Sequence, residues 1–138
     1  MDSDLQQAKN DLAAGGYTCV LVKGKTVHTS RERGVKPLLI WLGDGADLEG
    51  FAAADKVVGK ATAFLYVLLR VRAVYAPVMS EPAIAVLREH GIWIEYDMAV
   101  PAIFNRARTD FCPMERAVRD INQPAEALAA IRQRLAQL

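Results

Sequence analysis

The sequence predicts an α/β domain built on a mixed sheet, and three observations carry that expectation. Two β-rich runs meet at a glycine near the N-terminus, strand-like and helix-like segments alternate through the middle, and the C-terminal part returns to amphipathic helix. A hairpin supplies antiparallel pairing. Strand-helix-strand alternation instead favours parallel neighbours joined by right-handed crossovers, with helices covering the sheet. The 138 residues fit a single domain, 1–138.

In chain order, Leu5, Ala8, Leu12 and Ala13 recur at helical spacing, so a helix is expected from Ser3, as its cap, to Ala14, with Gly15-Gly16 as the stop. Tyr17–Lys23 and Lys25–Ser30 flank Gly24 as a hairpin. Val35 to Leu42 reads as a helix with Pro37 in its first turn, followed by a loop over 43–47. A longer helix is expected from about Asp55 to Leu69, then a strand Ala73–Ala76, a helix from about Pro82 to His90 stopped by Gly91, and a strand Ile92–Tyr96. Beyond Pro101, Pro113 opens a helix to about Asp120. Pro124 opens the last, Ala125–Leu135, with Leu128, Ile131 and Leu135 on one stripe.

Hydrophobic residues make up 52% and charged residues 24%, the balance of a globular domain with a real core. Seventeen Lys and Arg against sixteen Asp and Glu leave a formal charge of +1, which gives no global electrostatic case for nucleic acid or an acidic membrane. Cys19 and Cys112 form no CxxC pair, and the acidic start Met1-Asp2-Ser3-Asp4 lacks the marks of a secretory signal. Reduced thiols in a cytoplasmic protein are the expectation. The greasiest stretch, Ala61–Leu69, falls far short of the roughly 18 residues of a membrane span and reads as a buried helix.

Four phrases carry a resemblance: Arg33-Gly34-Val35-Lys36-Pro37-Leu38, Ala54-Asp55-Lys56-Val57-Val58-Gly59-Lys60, Ser80-Glu81-Pro82-Ala83, and Asn105-Arg106 with Cys112-Pro113-Met114-Glu115. Together with the element order they resemble a small prokaryotic family of unknown function with a cytidine-deaminase-like fold, over roughly residues 12–127. The resemblance implies a three-layer α/β/α sandwich and no established reaction. A zinc deaminase would need H-x-E or C-x-E at one helix start and P-C-x-x-C at another. Here Ala54-Asp55-Lys56 and Glu81-Pro82-Ala83-Ile84-Ala85 stand at those places and offer no ligand set, and His28, His90 and the two cysteines lack metal-ligand spacing. No metal and no resident cofactor are therefore expected.

Helix starts near Asp55 and Ser80, at the carboxyl ends of strands, are places where open α/β sheets hold ligands and where free N–H groups attract anions. Lys56 and Lys60, four apart, would share a helix face and tolerate each other best with an anion between them; the alternative is an Asp55 cap and two solvated lysines. Arg31, Arg33 and Lys36 around Gly34 suit a phosphate or equally a solvated turn. Ser80-Glu81-Pro82 reads as a helix start, or as a hydroxyl donor with a carboxylate for a ribose or base. Asn105 and Arg106 face an anionic ligand or tie the loop to the last helix. Cys112, before Pro113, is either a reactive thiol at a helix start or a structural cysteine.

Three functions compete on these residues. The first is a small nucleotide-like or phosphorylated ligand held by Lys36, Asp55, Lys56, Lys60, Ser80, Glu81, Asn105 and Arg106. The second is a cysteine-dependent enzyme using Cys112. The third is a self-associating module, a homo-oligomer, presenting apolar area on the Phe64–Leu69 helix.

Overall fold

The computed structural model describes residues 2–104 and 112–137, and Asn105 and Arg106 lie outside that range. The chain runs α1 (Ser3–Gly15), β1 (Cys19–Lys23), β2 (Thr26–Ser30), α2 (Lys36–Gly43), β3 (Ala52–Asp55), β4 (Val57–Val58), α3 (Lys60–Leu69), β5 (Ala73–Ser80), α4 (Glu81–Glu89), β6 (Trp93–Val100), α5 (Pro113–Val118) and α6 (Pro124–Ala136).

β1 lies between β2 and β3, antiparallel to both. β5 runs parallel to β3, β4 and β6. Ala52 pairs with Ala73 and Val57 with Val78, the same offset, so β3 and β4 are two pieces of one strand line along β5, interrupted at Lys56. The mixed sheet with an N-terminal hairpin and parallel strands is thus as expected.

Strand alternation divides the interior in two. Val20, Val22, Ala52, Ala54, Ala73 and Tyr75 meet Leu5, Ala8 and Leu12 of α1 on one face. Cys19, Leu21, Ala53, Val74 and Ala76 meet residues of α2 to α6 on the other. The described residues therefore form three layers, with α1 on one side of the sheet and α2 to α6 on the other. Alanines fill the strand under α1 because a helix packed that closely leaves room for little more than a methyl group. Burying Leu5 and Leu12 stabilises this layer by about 1.5–3 kcal/mol each.

Several expected boundaries are corrected. Asp2, not Ser3, caps α1: its Oδ1 accepts from Leu5 N at 3.1 Å, while its carboxylate also pairs with Arg72. Ala52–Asp55 is a strand, and the helix expected from Asp55 begins at Lys60. A run of alanines favours helix by intrinsic propensity, but here both faces are buried between layers and the parallel ladder to β5 decides. β5 and β6 each extend four residues past their expected ends, to Ser80 and Val100. Pro77, inside the longer β5, sits where neither neighbouring strand pairs with it. α5 stops two residues early, at Val118. In α6 Ala127 and Ile131 are buried, but Leu135 is exposed.

The apolar area expected on the Phe64–Leu69 helix for self-association is packed inside the protein. Phe64, Leu65, Tyr66 and Leu69 are buried and Val67 and Leu68 partly buried, because α3 lies at the centre of the helical layer. Among the described residues no helix is long and apolar enough to cross a membrane.

Candidate functional site

The carboxyl ends of β4, β5 and β6 converge on a cavity of about 260 Å³. Ser80 and Pro82 come from the β5–α4 junction, Lys60 from the first turn of α3, and Pro101, Ala102 and Ile103 from the chain leaving β6. Glu115, Arg116 and Arg119 close it from the α5 side. Segment 101–103 is also a wall of a neighbouring apolar groove bordered by Val78, Met98, Val100 and Phe104.

Each polar group has a local reason for its place. Ser80, almost wholly buried, ends β5 in extended conformation and caps α4, its Oγ accepting from Ala83 N at 3.2 Å. Glu81 follows as an exposed first-turn acid and does not line the cavity. Gly59 precedes α3 with no side chain to cap it. The cap comes from Glu115, 55 residues beyond Lys60, whose Oε2 accepts from Lys60 N at 3.0 Å. The Ala61 N–H also bonds the Glu115 carboxylate. A β-carbon at position 59 would lie 1.6 Å from Glu115 Oε1, so glycine is required there for close approach. Lys60 reciprocates, its Nζ donating to the Arg119 carbonyl at 2.9 Å. Burial pushes the Glu115 carboxyl above its usual range, against the pull of the Lys60 and Ala61 amides and the Lys60 charge.

The position expected to attract a ligand's anion at α3 is therefore filled by a carboxylate of the chain itself. Glu115 was legible in the sequence only as a first-turn acid of its own short helix. Nothing in a single sequence pairs position 115 with Gly59.

Asp55 and Lys56 lie elsewhere. Asp55 ends β3 opposite Cys19 of β1 and points into the helical layer. There Tyr66 donates to Asp55 Oδ2 at 2.7 Å. With the only phenolic proton so used, the Cys19 thiol is the donor in its 3.1 Å contact with the Tyr66 oxygen. Burial pushes the Asp55 carboxyl up to about 7, although bonds from Tyr66 and from the Lys56 and Val57 amides favour its charged form. Burial also raises the Tyr66 and Cys19 groups, and the Asp55 charge adds to both. Asp55 thus terminates a strand instead of capping a helix, and Lys56 is not on the α3 face with Lys60.

Asp55, Lys56, Cys19 and Arg33 border a separate depression of about 210 Å³. Lys36, at the start of α2, is exposed and pairs with Glu32 at 3.3 Å. Of the eight expected ligand contacts, the structure brings Lys60 and Ser80 into one cavity, places Asp55 and Lys56 at another, and leaves Lys36 and Glu81 outside both. Cys112 is a partly buried free thiol preceding α5, without a side-chain capping bond. Among the described residues no three His, Cys, Asp or Glu side chains are grouped to hold a metal ion.

Comparison with known proteins sets this geometry in a family. No curated protein matches the chain. The crystal structure of a DUF1893 family protein, TM1506 from Thermotoga maritima, is similar, with a TM-score of 0.84 and 25% sequence identity over 100% of this chain and 92% of that one. A family model described as TM1506, domain of unknown function (DUF1893), matches residues 7–135. With nearly its whole length matched, the chain belongs to the DUF1893 family.

Proposed function

We propose that this protein is a zinc-free, cytidine-deaminase-like domain that binds a small nucleotide-like ligand, with its ring-bearing end in the cavity between α3, α4 and segment 101–103. The observation that carries this reading is the place of the cavity. It opens at the carboxyl ends of adjacent parallel strands, where α/β sheets hold ligands, and joins polar side chains, Lys60, Ser80 and Glu115 among them, to the apolar wall of Pro82, Pro101 and Ile103. The sheet order β2, β1, β3 and β4, β5, β6, with β1 antiparallel to β3, supports the deaminase-like reading of the fold.

Size limits what enters. Pockets for whole drug-sized ligands commonly span about 300–1,000 Å³. A cavity of about 260 Å³ suits a heterocyclic base or a sugar better than a complete nucleotide. This modifies the sequence-based picture, which placed the anion on the helix starts themselves.

The test is native mass spectrometry of gently purified protein, followed by thermal-shift titration with nucleoside monophosphates and the Lys60→Met variant. A retained or added mass of nucleotide size, with a stabilising shift that Lys60→Met abolishes, is the expected result. Absence of any shift at millimolar concentration would refute the reading.

A second reading, self-association, moves from α3 to β6. Trp93 and Met98 on this strand are 62% and 59% exposed, and among the described residues β6 pairs only with β5. Sedimentation across a hundredfold concentration range, compared with a Trp93→Lys variant, tests it. A monomer throughout removes it.

A further inference from the structure

We propose that Asp55, Tyr66 and Cys19 form a proton-responsive hydrogen-bond chain, which reverses its direction when Asp55 gains or loses a proton through the depression beside Lys56. The chain lies apart from the cavity at α3 and does not depend on a ligand there.

Geometry places the three groups in series. The Tyr66 oxygen stands 2.7 Å from Asp55 Oδ2 and 3.1 Å from Cys19 Sγ, so the phenol has one neighbour on each side. All three side chains are buried, yet Asp55 and Cys19 also line the depression of about 210 Å³. A hydroxyl carries a single hydrogen, which serves one of two neighbours at a time. With Asp55 ionised, that hydrogen goes to the carboxylate and the thiol donates to the phenolic oxygen. With Asp55 protonated, the added hydrogen needs an acceptor. The Lys56 and Val57 amides that bond the carboxyl are donors, so the Tyr66 oxygen takes it. The phenolic hydrogen then turns to Cys19 Sγ, and the thiol changes from donor to acceptor. The reversal needs only rotation about C–O and C–S bonds. The proton itself comes from solvent and returns to it at Asp55.

The surroundings decide where on the pH scale this happens. β1 brings Cys19 and α3 brings Tyr66, both kept neutral because burial pushes their groups well above the ordinary range. β5 brings apolar side chains to this face, Val74 and Ala76 among them. The charged groups bordering the depression with Asp55 are Arg33, ahead of α2, and Lys56, next in the chain; Lys36 of α2 pairs with Glu32 instead. Burial of the carboxyl outweighs the bonds that favour its charge and sets its titration at about 7.

Infrared spectroscopy of the S–H stretch tests the proposal on full-length Cys112→Ser protein, in which Cys19 is the one remaining thiol, between about pH 5 and pH 9. A thiol that donates a hydrogen bond absorbs at lower frequency than one that only accepts. The expected result is a band that moves to higher frequency as pH falls, with its midpoint near the Asp55 value of about 7. The band should stand still when Asp55→Asn or Tyr66→Phe is added, and circular dichroism melting confirms that these variants are folded. A band that does not move in the Cys112→Ser protein would overturn the reversal. A shift that survives Tyr66→Phe would overturn the passage through the phenol, and one that survives Asp55→Asn would overturn Asp55 as the group that titrates.

Discussion

Replacing Asp55 by Asn should change how stability responds to pH far more than it changes the fold. The Asp55 carboxyl, normally near 3.8, is pushed up to about 7 by burial. Between those values the folded chain holds a proton that the unfolded chain has released, so stability falls as pH rises, starting near 3.8 and finishing above about 7. Three units at 1.36 kcal/mol each amount to about 4 kcal/mol, an appreciable part of the 5–15 kcal/mol that holds a typical domain together. Asn cannot ionise, so this slope disappears. Its amide can accept from Tyr66 but presents donors towards the Lys56 and Val57 amides, a mismatch of about 1–3 kcal/mol at every pH. The two stability profiles should therefore cross, with wild type ahead near pH 4.5 and the variant ahead near pH 8. Urea denaturation followed by circular dichroism at half-unit pH steps and constant ionic strength measures both, and their difference isolates Asp55 from every other titrating group. Parallel profiles would refute the reasoning and mean that the buried carboxylate is ionised in the folded protein throughout the range.

Gly59→Ala should displace Glu115 from the start of α3 and lower stability by about 1–2 kcal/mol, the range of a lost helix cap, measured as a shift of the urea midpoint. Ser80→Ala removes the cap of α4 and should cost about 1 kcal/mol, with the thermal midpoint as readout. Arg72, paired with Asp2 and Asp4, holds the Asp2 carboxyl down at about 2, so this contribution is present above the ordinary carboxylate range and is lost as pH falls through 2. With both partners partly solvent-screened it amounts to no more than about 1 kcal/mol, and Arg72→Ala should cost that much at pH 7 and little at pH 2. Iodoacetamide should label native protein once, at Cys112, and urea-unfolded protein twice, because Cys19 is sealed beneath α3; mass spectrometry of the peptides distinguishes these outcomes.

The parts of the fold that were legible in the sequence are those whose signals are local. Gly24 between two β-rich runs, Pro37 and Pro82 in first helical turns, and the Leu5, Ala8 and Leu12 stripe each specify their element within a few residues. The strand Ala52–Asp55 was illegible, because alanine carries no period of its own and only the layers on both sides make it a strand. The ends of β5 and β6 were missed for a related reason, since their last residues are held by one another and by β4. In the candidate site, Ser80 was readable as a cap from Ser-Glu-Pro. Lys60 was singled out for a pairing with Lys56 that the strand break removes. Glu115 required the tertiary contact with Gly59, which no local pattern encodes.

The fit between Gly59 and Glu115 also bears on how sequences of this fold can diverge. A chain that acquires a side chain at position 59 no longer has room for the long acid at position 115, and a chain that loses the acid leaves the α3 amides bare and gains nothing from keeping the glycine. The two positions are therefore constrained as one heritable unit, and substitutions at either are tolerated chiefly when the other changes with it. An alignment of relatives read for paired change at these two columns would reveal where the acid, and with it the chemistry of the cavity, has been exchanged for another solution.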